Sequence, residues 1–382
     1  MKRNAKAIGW IAGVGAGVLA LAAASVVLIG NAAIDFALVP GKDGKTGRMR
    51  KPDRIGGDLA NGSVDRSVRG LVERNRRAIR EKRDEWLSTV DVERVFIKSS
   101  CDSGALQCAY AGEGGRDARA GNSVRHGVRA RRHEHRGAHA FGHGEPFDLA
   151  GFVYPARERT AKWAVLVHGY TNDHTDMEHI GAFYAERGYN VFAPDLRAQG
   201  ESGGDLIGMG WTDRNDLVLW IDYLVKRFGS DISIVLHGVS MGGAAVCMAS
   251  GERLPAQVRA VVSDCAFTDV ESMFAGQVKK LYGLPRHPVV DDGRIMLKAR
   301  GGYDIKHASA LDQVKQSCTP TLFIHGASDG FVPPAMARAL FEACSAPEKR
   351  LLVMRGAGHA LAAETDPDLY FRTVFDFLQG KM

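Results

Sequence analysis

SIVLHGVSMGGAAVCMAS, running from Ser233 to Ser250, is the stretch that decides how this chain is read. An apolar run of strand type, Ile234 to His237, breaks at Gly238, and a pattern of small residues suited to a closely packed helix begins at Met241. Between them lies G-x-S-x-G, formed by Gly238, Ser240 and Gly242. Such a turn between strand and helix leaves no room for side chains beside the serine, so the flanking glycines are a steric requirement. It lifts the Ser240 hydroxyl to the amino end of a helix, where backbone N–H groups favour negative charge.

Working outward, strands and helices alternate on both sides of this unit. The strands expected are 163–168, 190–195, 233–238, 260–264, 321–326 and 350–355. Helices fit at 174–187, 213–228, 241–252, 333–344 and 367–379, the signature of a mostly parallel, doubly wound α/β sheet covered on both faces. Strand patterns at VERVFIKS (from Val92), LQCAY and FDLAGFVYP precede it, and residues 71–87 read as a helix. In such a sheet, ligands bind at the carboxyl ends of strands, so the turns there are where chemistry is expected.

A serine hydroxyl is a weak nucleophile near neutral pH and needs a base, itself oriented by an acid. His359, in GAGHA beyond the last strand, fits the base. Asp329, in HGASDGFVP after the preceding strand, fits the acid. Asp264, ending the strand before that, is the rival for the acid, with Asp329 the better placed. An oxyanion formed during attack needs N–H donors. Met241, directly after the serine, offers one, and Tyr170 in His168-Gly169-Tyr170 offers the other. His168 and His237 precede glycines at strand ends and read as structural.

These motifs, together with APDLRAQGESGG, IGMGW and SDCAFTDV, resemble the α/β-hydrolase superfamily, and more narrowly bacterial membrane-anchored serine hydrolases of the serine aminopeptidase-like or acylglycerol-lipase-like group. The resemblance runs from about Val92 to Gln379. It implies an α/β-hydrolase fold with a short helical cap at 267–316, a triad of Ser240, Asp329 and His359, an oxyanion hole at Tyr170 and Met241, and an N-terminal membrane helix. Ala198 stands where relatives usually carry glycine, and Gln199 where they carry histidine, a departure bearing on substrate fit. Met273, Phe274, Leu281, Tyr282 and Leu284 either wall an acyl pocket or belong to ordinary core. A cap this short favours modest substrates or a partly open cleft.

The 382 residues include 45% hydrophobic and 25% charged, which excludes a disordered chain, and six cysteines are too few for a disulfide scaffold. Residues 7–30 carry no charge and follow the basic head 1–6 (Lys2, Arg3, Lys6), so a single-pass signal-anchor is expected, with the catalytic domain outside the cytoplasm. Residues 31–90 read as tether and juxtamembrane helix, and 91–380 as the hydrolase domain. Within it, 112–145 is an Arg/His-rich insertion between strands that lacks the apolar residues to fold alone. Between Arg116 and His143 seven arginines oppose only Asp117 and Glu134, a surplus of five against the chain's net +6. The charge therefore points to weak polyanion contact by that insertion and not to specific nucleic-acid binding. Cys101 and Cys108 flank an expected hairpin tip, where export would allow them to pair, while Cys247, Cys265, Cys318 and Cys344 read as buried free thiols. No cofactor or metal is expected. The partners expected are a small-molecule or lipid-like acyl substrate and a membrane held through the N-terminal helix. Ester hydrolysis is favoured over peptidase action, and acyl transfer would use the same residues.

Overall fold

The computed structural model describes residues 28–35, 37–39, 68–99 and 146–382. Helix α1 (Arg69–Leu87) leads into β1 (Glu93–Lys98), β2 (Asp148–Tyr154), β3 (Lys162–Val167), α2 (Glu178–Ala185) and β4 (Asn190–Pro194). There follow α3 (Asp213–Phe228), β5 (Ser233–Val239), α4 (Met241–Ser250) and β6 (Val258–Asp264), then three helices in succession: α5 (Val270–Tyr282), α6 (Val289–Gly301) and α7 (Ala310–Val314). The order closes with β7 (Thr321–Gly326), α8 (Pro334–Ala343), β8 (Lys349–Met354), α9 (Ala362–Thr365) and α10 (Pro367–Leu378).

The strands form one sheet in the order β1-β2-β4-β3-β5-β6-β7-β8. β2 is antiparallel to β1 and to β4, and every other pairing is parallel. Alternation along β3 shows why both faces must be covered. Trp163, Val165 and Val167 join the core under α3 and α4, while Ala164 and Leu166 join the core under α2 and α10. β4 lies on one side of β3 and β5 on the other, so the direction of winding reverses between them. The crevice at the carboxyl ends of β3 and β5 is thus the topological switch point.

The strands and helices expected from Trp163 onward are all present, with ends shifted by a few residues. One helix starts differently: residues 174–177 wind as a 3-10 turn before α2. Asp195, just past β4, accepts from both the His174 amide (2.7 Å) and its ring Nδ1 (2.9 Å), which ties the entry to the sheet. Cys247, Cys265 and Cys344 are buried free thiols, whereas Cys318 is exposed in the connection before β7.

The largest difference from expectation lies near the amino terminus. Residues 28–35 are helical, and Ile34 and Leu38, four positions apart on one face, are buried in the same core as Met296 and Leu297 of α6. The Leu38 carbonyl accepts from the Ile207 amide at 2.9 Å, and Asp35 pairs with Arg300 at 2.7 Å. The end of the uncharged run and the start of the expected tether therefore pack into the folded domain. Among the described residues no helix is long and apolar enough to cross a membrane. Residues 7–27, where the span is expected, lie outside the described residues, as do Cys101, Cys108 and the insertion 112–145.

Candidate active site

The turn after β5 is as tight as its glycines require. Ser240 has φ 58° and ψ −116°, a strained conformation for a residue with a side chain, costing on the order of 1–3 kcal/mol. A Cβ on Gly238 would lie 2.1 Å from the Gly242 carbonyl oxygen, and one on Gly242 would lie 2.0 Å from that of Val167. The Ser240 amide donates to the Asp264 carbonyl (2.8 Å), and the Ala244 amide to that of Ser240 (3.0 Å), fixing the serine between β6 and α4.

Three of the residues singled out in the sequence meet here. Ser240 Oγ lies 2.8 Å from His359 Nε2, and His359 Nδ1 lies 2.7 Å from Asp329 Oδ2. A carboxylate only accepts, so Nδ1 carries the ring proton and Nε2 is left to accept from the serine hydroxyl. Asp329 Oδ1 accepts from the amides of Phe331 (2.8 Å) and Val332 (2.9 Å). Burial opposes its charge, but hydrogen bonds from His325 and His359 prevail and hold the carboxyl well below its usual range.

Asp264 is engaged elsewhere. Its Oδ2 accepts from the Tyr370 hydroxyl (3.0 Å), and its Oδ1 has no partner. Burial raises its pKa to about 7. Behind it runs a buried chain: His237 Nε2 to the Tyr370 hydroxyl and His237 Nδ1 to the Tyr184 hydroxyl, both 3.0 Å. Burial pushes His237 down to about 3, so this ring is neutral and donates through one nitrogen only. His168 is likewise structural, donating Nδ1–H to the Gly169 carbonyl (2.8 Å) and accepting at Nε2 from the Leu196 amide (2.9 Å).

The turn after β3 reaches the serine as expected, since a Cβ on Gly169 would lie 3.5 Å from that of Ser240. Tyr170 follows it, and Met241 opens α4 directly after Ser240. The support of this turn comes from a residue read in the sequence only as bearing on substrate fit: Gln199 is buried, and its Oε1 accepts from the Thr171 amide at 2.7 Å. Ala198 has φ 59°, which explains why glycine is usual there in the resembling proteins. A second residue missed in the sequence is His325. Its Nε2 is 3.0 Å from the Val332 carbonyl and 3.2 Å from Asp329 Oδ2. Its spacing of four from Asp329 was the available signal, but it reads like the other strand-end histidines. Cys265 also converges with Asp329 and His359, ligand atoms within 4.8 Å. Burial pushes its thiol well up, keeping it protonated, and both His359 nitrogens are already in hydrogen bonds.

Above the serine lies a cavity of about 510 Å³. Met273, Phe274, Tyr282 and Leu284 of the cap line it together with Tyr170, Ser240 and Met241, so the pocket reading of the cap residues holds for these four. Beyond the cap, Ile29, Ala32, Ala33, Ile34, Ala37 and Leu38 supply a further wall.

Residues 175–382 match the model of the prolyl oligopeptidase family. Among curated proteins, the chain is 27% identical over 234 residues to the uncharacterized protein YqkD of Bacillus subtilis, covering 61% of this chain and 76% of that one. It is 23% identical over 233 residues to a carboxylesterase of the same organism, covering 57% and 92%. A solved structure of a Pyrococcus furiosus esterase superposes with a TM-score of 0.51 at 23% identity, covering 62% of this chain and 87% of that one, a likeness of fold.

Proposed function

The chain is an α/β-hydrolase of the prolyl oligopeptidase family, and from that premise we propose that it is a serine hydrolase cleaving acyl esters through an acyl-enzyme. The observation that carries this reading is the unbroken hydrogen-bond chain Ser240–His359–Asp329 at the floor of an apolar cavity. In this mechanism Ser240 Oγ attacks the ester carbonyl while His359 Nε2 takes its proton. Asp329 keeps the ring in the accepting tautomer and stabilises the imidazolium. The Met241 and Tyr170 amides receive the oxyanion. The proton passes to the departing alcohol, and water, activated by the same histidine, releases the acid and restores the serine.

Amide hydrolysis uses the same groups, and the family match favours keeping it as the second reading. The apolar cavity supports the ester. A fluorophosphonate should label the wild-type protein and leave Ser240→Ala unlabelled. A panel of acyl esters against aminoacyl amides then separates the two readings: turnover confined to the amides would overturn the ester assignment. We further propose that the uncharged run beginning at Ala7 holds the enzyme at a membrane, its last residues 28–30 being packed against the domain, and that 112–145 makes weak polyanion contact. Both rest on the sequence, and both are checked by fractionating cells that express the full chain and a chain lacking 112–145.

A further inference from the structure

Residues 28–35 and 37–39 fall where the sequence suggests nothing but the end of a span and the start of a tether, yet six of them line the cavity above Ser240. Ile29, Ala32, Ala33, Ile34, Ala37 and Leu38 line it, facing Phe274, Val278 and Leu297 among others. The seating is close. A Cβ on Gly30 would lie 2.5 Å from both the Asp292 carbonyl oxygen and Met296 Cγ, and one on Gly293 would lie 3.8 Å from that of Ala33. Asp35 pairs with Arg300, the Leu38 carbonyl accepts from Ile207, and the Tyr170 hydroxyl donates to the Ala37 carbonyl. The last contact joins this segment to the turn that carries the proposed oxyanion donor.

The chemistry of the wall selects its ligand. Arg294 lines the cavity but is spent on Asp304, with two contacts of 2.6 and 2.7 Å, and the Tyr170 hydroxyl is spent on Ala37. Gln277 donates to the Phe331 carbonyl at 3.1 Å, which leaves its Oε1 as a lone acceptor in an otherwise apolar surround. A volume of about 510 Å³ lies within the range of small-ligand sites. Its walls can reward burial of hydrocarbon at about 0.8 kcal/mol per CH₂ and offer no counter-charge to an ionic group.

We infer that Ile29, Ala32, Ala33, Ile34, Ala37 and Leu38 form one wall of a binding site for the hydrocarbon chain of the acyl group, and set the acyl length that the enzyme accepts. The inference rests on the proposed ester hydrolysis. Three alanines, Ala32, Ala33 and Ala37, keep the wall thin, so bulk added there displaces chain directly. The small side chains are the specificity determinant.

The test uses the full chain and p-nitrophenyl esters from acetyl to decanoyl, with alkyl acetates of matching alcohol length as the second arm. Ala37→Phe should lower the ratio of kcat/KM for decanoyl over acetyl by about tenfold or more. Ala32→Phe, at an exposed lining position with little to repack, should move the ratio in the same direction and decides the matter if Ala37→Phe does not fold. A ratio unchanged in the folded variants overturns the inference, and so does a shift that follows the alcohol chain. If wild-type protein hydrolyses no ester, or Ser240→Ala hydrolyses them equally well, the ester mechanism itself has failed and the acyl site falls with it.

Discussion

Two buried carboxyls sit at the ends of adjacent strands, Asp264 closing β6 and Asp329 just past β7, and their surroundings drive their charge states apart. Asp329 receives two backbone amides on one oxygen and two imidazoles on the other, so its charge is stabilised against burial. Asp264 receives one phenol and leaves an oxygen unpartnered, so burial wins and raises it to about 7. Burial is common to both. The number of donors decides which carboxyl can hold a charge under an imidazolium and which cannot.

Asp329→Asn attacks the difference at its strongest point. Oδ1 is pinned by the Phe331 and Val332 amides, so the amide oxygen must stay there and its NH₂ must face His359 Nδ1. The ring then has to accept at Nδ1 and carry its proton on Nε2, the nitrogen that takes the proton of Ser240 in the proposed mechanism. A fall in kcat of roughly 10⁴ is expected, with fluorophosphonate labelling slowed in parallel. His325→Phe removes one donor from Asp329 and leaves the ring pair with His359 in place. Its cost should be roughly tenfold in kcat/KM, matching about 1.5 kcal/mol for a hydrogen bond to a charged group. His325→Gln, which can still donate, should recover most of it. Equal losses in both variants would reduce His325 to a packing residue.

How much of this was legible beforehand follows the same division. Ser240, His359 and Asp329 stand in turns after apolar strands, and continuous apolar runs punctuated by glycine placed those strands correctly. The sheet is fixed by local chemistry that a linear reading can see. The donors on Asp329, the grip of Gln199 on Thr171 and the phenol on Asp264 are contacts between residues far apart in sequence, or between side chain and backbone. No spacing encodes the contacts of Gln199 and Tyr370, and the spacing of four between His325 and Asp329 does not set that histidine apart from the other strand-end histidines. The wall at 29–38 was hidden for a different reason. Its alanines and isoleucines are the residues of an apolar span, and only the cap opposite gives them another role.

Asp264→Asn is the smallest change and the one that isolates burial from donation. Activity should stay within about threefold of wild type, because the serine amide is held by the Asp264 backbone carbonyl and not by its side chain. Stability should respond to pH. Below about pH 4 the carboxyl is protonated in both folded and unfolded chains. Between about pH 4 and 7 the unfolded chain releases the proton while the folded one keeps it, so the wild type loses stability as pH rises through that window. Above it the folded chain must bury a charge with a single donor, a penalty on the order of a few kcal/mol. Asparagine does not titrate and can still accept from Tyr370. Its stability relative to wild type, from denaturant unfolding at pH 5 and pH 8, should therefore be greater at pH 8. A gap that does not change with pH would mean that Asp264 has found a second donor and carries its charge as Asp329 does, and the contrast between the two strand ends would disappear.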